Sequence, residues 1–198
     1  MASSTAEKIL PALDQPLGMF IDGEFTEAQS SSTFDILNPA TEEVIAQVAE
    51  GGPEDIELAV SAAHKGFEAL RDMGARKRGR LLLDLARAIE DRFEEFAQLE
   101  CINQGKPIRH VRGFDVPNTI ETFEYFGGAA TKLRGLTIET EPAMRTTVRR
   151  EPYGVVGQIV PWNYPIMMAS WKIAPAIAAG NAVVIVPAAQ TPLTLLKL

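Results

Sequence analysis

The stretch PYGVVGQIVPWNYPIMMASWKIAPAIAAGNAVVIVPAAQTPL, residues 152–193, decides the fold. Its opening GVVGQIV, 154–160, is an unbroken apolar run, the pattern of a strand buried on both faces of a parallel sheet. A helix is predicted over 166–179 and stops at Gly180. NAVVIV, 181–186, is a second apolar strand. The order strand, helix, strand describes a β-α-β unit. In TPLTLLKL, Thr191 is expected as N-cap and Pro192 as first residue of a further helix. Between the first strand and its helix lies PWNYP, 161–165. A connection made only for folding could use glycine and a serine cap. This one places Trp162 and Asn163 between two prolines where the strand leaves the sheet. In open α/β sheets that carboxyl end is where ligands bind. A doubly wound domain needs more than two such strands, so the sequence is expected to be cut short within a fold.

Working outward, GLTIETEPAMRTTVRREPYG, 135–154, alternates and is rich in Thr and Val. It predicts two exposed antiparallel strands with a turn near Glu141-Pro142. Such a ribbon is marginal alone. Two readings stay open for it, a strap that crosses to a partner subunit and a plain surface hairpin. Further upstream, Asp22-Gly23 between short apolar runs signals a hairpin over 19–27. Strands are expected at 33–37 and 43–49, joined by the turn residues NPATEE. Pro53, Glu54 and Asp55 open a helix whose buried stripe is expected to be Ile56, Val60, Ala63, Phe67 and Leu70, with His64 exposed. A second helix over 76–103 is expected to bury Leu81, Leu85, Ala88, Ile89, Phe93 and Phe96 and to end at Gly105, ahead of Pro107. A third segment over 115–134 is expected to be interrupted at Gly127-Gly128.

Composition excludes several functions. The 198 residues are 46% hydrophobic with 15 glycines and 13 prolines, a globular profile. A net charge of −7 argues against nucleic-acid or anionic-membrane partners, which need a basic face. The basic run RKRGR, 76–80, reads as a solvated helix face. No apolar run is long enough for a membrane helix. The first 18 residues lack a basic start and an apolar core, and read as a loose tail. One cysteine, Cys101, rules out a disulfide within the chain and suits a reducing, cytoplasmic setting. In LECINQGKP it has no base beside it and reads as structural.

Local sequence leaves the site residues with two readings each. Asn163 could cap the following helix, the simpler reading, or present a fixed amide. Tyr164, Met168 and Trp171 fall at helical spacing, which is more often core than ligand wall. Lys172 could be solvated, or could need a partner inside a mostly apolar helix.

The ordered set FIDGEF, NPATEEVIAQV, INQGKP and the 152–193 stretch resembles the N-terminal part of the aldehyde dehydrogenase superfamily. The resemblance covers nearly all of the chain after residue 18. It implies an α/β fold in which short strands and helices lead into an incomplete Rossmann-like β-α-β unit with a protruding two-stranded ribbon. It implies a loose tail at 1–18, the N-terminal part of the cofactor-binding domain at 19–134, an oligomerisation ribbon at 135–153 and the start of the dinucleotide unit at 154–198. The implied reaction is NAD(P)+-dependent oxidation of a small-molecule aldehyde to an acid through a covalent thiohemiacetal. That step builds negative charge on the former carbonyl oxygen, and one rigid amide donor aimed there is worth about 3–4 kcal/mol. Asn163 matches that donor, and the prolines brace it. Tyr164, Met168 and Trp171 match the aldehyde tunnel. Ile159, Val160, Pro161, Trp162 and Lys172 match positions facing the cofactor or the active-site space.

Two departures matter. The family has Lys-Pro-Ala-Glu after the second strand, where this chain has Val186, Pro187, Ala188 and Ala189. Val186 and Ala189 cannot bond the adenosine ribose, each such bond being worth about 1.5–3 kcal/mol, so NAD or NADP is expected to bind weakly. The family's nucleophilic cysteine, general-base glutamate and glycine-rich pyrophosphate turn have no counterpart here. The chain is therefore expected to be inactive alone. It then acts as part of an enzyme, as a homo-oligomer or a non-catalytic associate of full-length subunits, or as a fragment with exposed strand edges.

Overall fold

A computed structural model describes residues 16–198. Of the stretch expected to be a loose tail, 1–15 lie outside the described residues. Leu17 is held: it bridges to Val48, donating to Gln47 O and accepting from Ala49 N–H, both at 2.8 Å. β1 (Met19–Ile21) and β2 (Glu24–Thr26) form the expected hairpin. Asp22 (φ 54°) and Gly23 (φ 87°) supply the two positive φ values that its turn needs. β3 (Thr33–Leu37) and β4 (Val44–Ala49) pair antiparallel, with a register shift at Ile36/Leu37.

Helices α1 (Pro53–Met73), α2 (Ala75–Asp91) and α3 (Phe93–Gln104) follow. The single helix expected over 76–103 is two, broken at Arg92 (φ −113°, ψ 23°). The break lets α3 serve two cores. Phe96 and Ala97 join α2 in one, while Leu99 joins Ile36, Ala46 and Val48 in the other. The buried stripe also differs from the one expected. Leu81 and Ala88 are exposed on α2, and Leu82, Ala86 and Ile89 are buried instead. On α1, Ile56 is exposed.

The reason lies in a helix contact that a single-helix pattern cannot show. A short helical turn (Ile108–His110) and a π-helical stretch (Val111–Asp115) lead into α4 (Val116–Ala129), which runs through Gly127-Gly128 without interruption. A Cβ on Gly79 would stand 2.5 Å from Gly127 O, and one on Gly127 would stand 2.9 Å from Leu83 Cγ. The glycines are where α2 and α4 touch by backbone, and this contact sets the rotation of α2. The basic run beside it is not wholly solvated either. Arg78 is half-buried and donates to Leu70 O (3.2 Å) and Ala178 O (3.4 Å).

β5 (Leu136–Glu141) and β6 (Met144–Val148) make the expected ribbon, every residue of it exposed. β7 (Val155–Ile159) and β8 (Ala182–Val186) pair parallel, joined by α5 (Pro165–Ala179), and α1 and α5 pack on the pair. Gly180 (φ 93°) ends α5. The last helix, α6 (Leu193–Lys197), is not capped by Thr191, whose buried hydroxyl finds no partner among the described residues. The cap comes from elsewhere: Asn103 Oδ1 on α3 accepts from Leu193 N–H at 3.1 Å. No helix among the described residues is long and apolar enough to cross a membrane.

Candidate functional site at the carboxyl end of β7

β7 and β8 end side by side, with Ile159 paired to Val186 and Val160 N–H donating to Val186 O at 2.9 Å. The chain then turns through Pro161–Tyr164 into α5, with Pro165 as its first residue. The prolines suit both ends of this turn, since each fixes φ and neither has an N–H to lose. Asn163 is exposed at the tip. It does not cap α5: the capping position is Tyr164, and no side chain bonds the first turn from there. Among the described residues, the Asn163 amide forms no hydrogen bond, so its N–H groups are open to a ligand.

The turn is held from beneath by α3 and the residues after it. Gln104 Nε2 donates to Asn163 O at 3.4 Å. Glu100 Oε1 accepts from Ile166 N–H at 3.3 Å, and its Oε2 accepts from Thr194 Oγ1 at 2.5 Å. Glu100 is 0% exposed. Burial pushes its carboxyl up to about 7, against the opposing bonds from Thr194 and Ile166. Lys106 Nζ pairs with buried Asp115 Oδ2 at 2.5 Å and lies 3.6 Å from the centre of the Tyr164 ring. Phe114 meets Tyr164 edge to face, centres 6.2 Å apart. These residues and His110 line an open depression of about 500 Å³. The sequence reading missed Glu100, Gln104, Lys106, Phe114 and Asn118. INQGKP carried the only local signal, for Gln104 and Lys106.

The residues expected to line an aldehyde path lie on α5 and its first turn. Tyr164 and Met168 are half-buried, and Trp171 is exposed, its Nε1–H donating to Asn118 Oδ1 at 2.9 Å. Lys172 is half-buried, and its backbone carbonyl accepts from Gln158 Nε2 at 2.8 Å. Among the described residues its ammonium has no carboxylate in reach. At the ends of β7 and β8, Ile159 (78% exposed), Trp162 (59%) and Val186 (42%) form an apolar ledge beside exposed Pro161 and Ala189 and half-buried Pro187. Val160 is buried, and its side chain is closed to a ligand. The ledge offers apolar surface to solvent. Its Val186 and Ala189 offer no side-chain bond to a ribose.

The one thiol of the chain is Cys101. Cys101 is half-buried against the larger core, and burial pushes its thiol up, away from the reactive thiolate. Among the described residues, no group of three or more His, Cys, Asp or Glu could hold a metal ion.

The sequence matches the model of the aldehyde dehydrogenase family over residues 25–198. It is 44% identical over 182 residues to an aldehyde dehydrogenase of Alternaria alternata, covering 91% of this chain and 37% of that one. Its fold superposes on PnpE in complex with nicotinamide adenine dinucleotide with TM-score 0.90, and on PnpE from Pseudomonas sp. WBC-3 with TM-score 0.89, each at 47% identity over 92% of this chain and 38% of that chain. It superposes on the NAD+ complex of a Bacillus cereus aldehyde dehydrogenase with TM-score 0.93 and 44% identity, over 96% and 39%. The chain thus spans less than two fifths of the length of these proteins. It belongs to the aldehyde dehydrogenase family.

Proposed function

We propose that this chain supplies the oxyanion donor and part of the substrate and cofactor walls for NAD(P)+-dependent oxidation of an aldehyde to a carboxylic acid. The observation that carries the reading is Asn163, exposed at the strand end with its amide unengaged, in a turn tied down by Gln104 and Glu100. When a nucleophile adds to an aldehyde, the carbonyl oxygen takes the charge. The Asn163 N–H meets that charge without first breaking a bond of its own, and one such preorganised donor is worth about 3–4 kcal/mol. Tyr164, Met168 and Trp171 orient the aldehyde and keep water from it. Ile159, Pro161, Trp162 and Pro187 would seat the cofactor, which would supply the hydride acceptor. Val186 and Ala189 leave its ribose unbonded, so the chain binds NAD+ and NADP+ weakly. We infer no nucleophile within these 198 residues, whose one thiol is half-buried and pushed up by burial, and so no aldehyde oxidation by the chain alone.

The test joins residues 1–198 to the remaining sequence of a family member such as the Bacillus cereus enzyme. The chimera should oxidise aldehydes while the 198-residue chain stays at background. Activity of the chain alone that is lost in Cys101→Ser would overturn the reading.

A second reading has its own observation. The ribbon is fully exposed and shows Leu136, Ile138, Met144 and Val148 to solvent. It fits strand addition or packing against another family subunit, so the chain would act as an associating partner. Light scattering on the chain with and without residues 135–150 tests this: ordered dimers should disappear with the ribbon. A reducing, cytoplasmic setting accords with the single half-buried thiol.

A further inference from the structure

We propose that Glu100 is a positioning residue that couples the Asn163 turn to the 190–194 segment, holding both through its two carboxylate oxygens. The inference rests on the reading of Asn163 only for its consequence; the coupling itself is a matter of geometry. One oxygen accepts from Ile166 N–H, in the first turn of α5 and three residues after Asn163. The other accepts from the Thr194 hydroxyl in α6. Asn103, one turn along α3, grips the same segment a second time, donating from Nδ2 to Gln190 O at 3.0 Å and accepting from Leu193 N–H. So two adjacent turns of α3 join the turn after β7 to the chain that follows β8. Those are the two pieces that border the ledge.

A buried carboxylate is a costly way to join two helices. A neutral amide could accept from Ile166 through its oxygen, but its NH2 could then only donate at Thr194. The ionised carboxylate accepts on both sides with the hydroxyl free to rotate. Protonation turns one oxygen into a donor, and one of the two bonds must then reverse or break. The charged groups that bear on Glu100 are Asp115, which opposes its ionisation, and Lys106, which favours it. α5 and α6 bring neutral donors, because Lys197 of α6 is paired with Glu95 at 3.0 Å. His110 lies further out, against the Tyr164 depression.

The experiment is an NMR pH titration of the 198-residue chain. It reads the Ile166 backbone amide and the Asn163 side-chain amide, the latter identified by its loss in Asn163→Ala. Both signals should move together with a midpoint near pH 7. Glu100→Gln should abolish that step in both, and His110→Gln should leave it in place. Thr194→Val removes a bond that favours the charged form, so the midpoint should rise; this variant stands even if Glu100→Gln fails to fold. A purely structural glutamate would give no joint step. Absence of the step in the native chain, its persistence in Glu100→Gln, its loss in His110→Gln, or an unmoved midpoint in Thr194→Val would overturn the coupling. None of these results depends on Asn163 being an oxyanion donor, which the chimera tests separately.

Discussion

Two pairs of strands close together in sequence have opposite surroundings. β7 and β8 are parallel, their residues are mostly half-buried, and α1 and α5 pack on them. β5 and β6 are antiparallel, and every residue is exposed. Both are rich in β-branched residues, so strand propensity does not separate them. The difference is what covers them. The covered pair can aim a side chain, because its end is fixed by α3 through Glu100 and Gln104. The bare pair belongs to neither core cluster of the described residues.

The largest effect should come from the core behind the covered pair. Ile166→Ala empties a fully buried site beneath the turn and should cost about 2–5 kcal/mol. Ile138→Ala in the ribbon should cost under about 0.5 kcal/mol. Denaturant melts of both variants check the contrast, and equal losses would break it.

A pH effect of similar size should come from Glu100. Its folded pKa, about 7, lies above the ordinary carboxyl value of 4.5. Between these values the folded state holds the proton that the unfolded chain releases. Stability should therefore fall as pH rises through that window, by about 3 kcal/mol, and level off above it. Glu100→Gln should remove this part of the slope. Melts of the two proteins across the window read it directly, and parallel curves would show that Glu100 titrates normally.

Much of the fold was legible before any contact was known. Asp22-Gly23, the strands at 33–37 and 44–49, and the β-α-β unit follow from turn chemistry and local apolar patterning. The misses share a cause. Gly127-Gly128 looked like a break because glycine weakens an isolated helix, yet Gly127 makes a close contact with α2, which no local pattern records. Thr191 looked like a cap, but Asn103, ninety residues before Leu193, does that work. At the site, only resemblance to a family pattern pointed to Asn163. Its supports were not legible, because Gln104 is 59 residues away in sequence and the Glu100–Thr194 bond spans 94.

A smaller effect should follow from loosening the tie between α3 and α6. Asn103→Ala leaves Gln190 O and Leu193 N–H without their partner and should cost about 1–3 kcal/mol. Hydrogen exchange should show the loss at Leu193 and its neighbours, while the ribbon amides stay unchanged. Deleting residues 135–150 should also change stability little. The melt should shift by under about 1 kcal/mol, since no core cluster includes the ribbon, while the oligomeric state changes.

The most direct measurement is steady-state kinetics of Asn163→Ala in the chimera described above. If a preorganised amide meets the charge on the carbonyl oxygen, kcat should fall about 100- to 1,000-fold with KM for the aldehyde little changed. A fall of less than about tenfold, or one confined to KM, would mean that Asn163 binds or packs and does not stabilise the oxyanion.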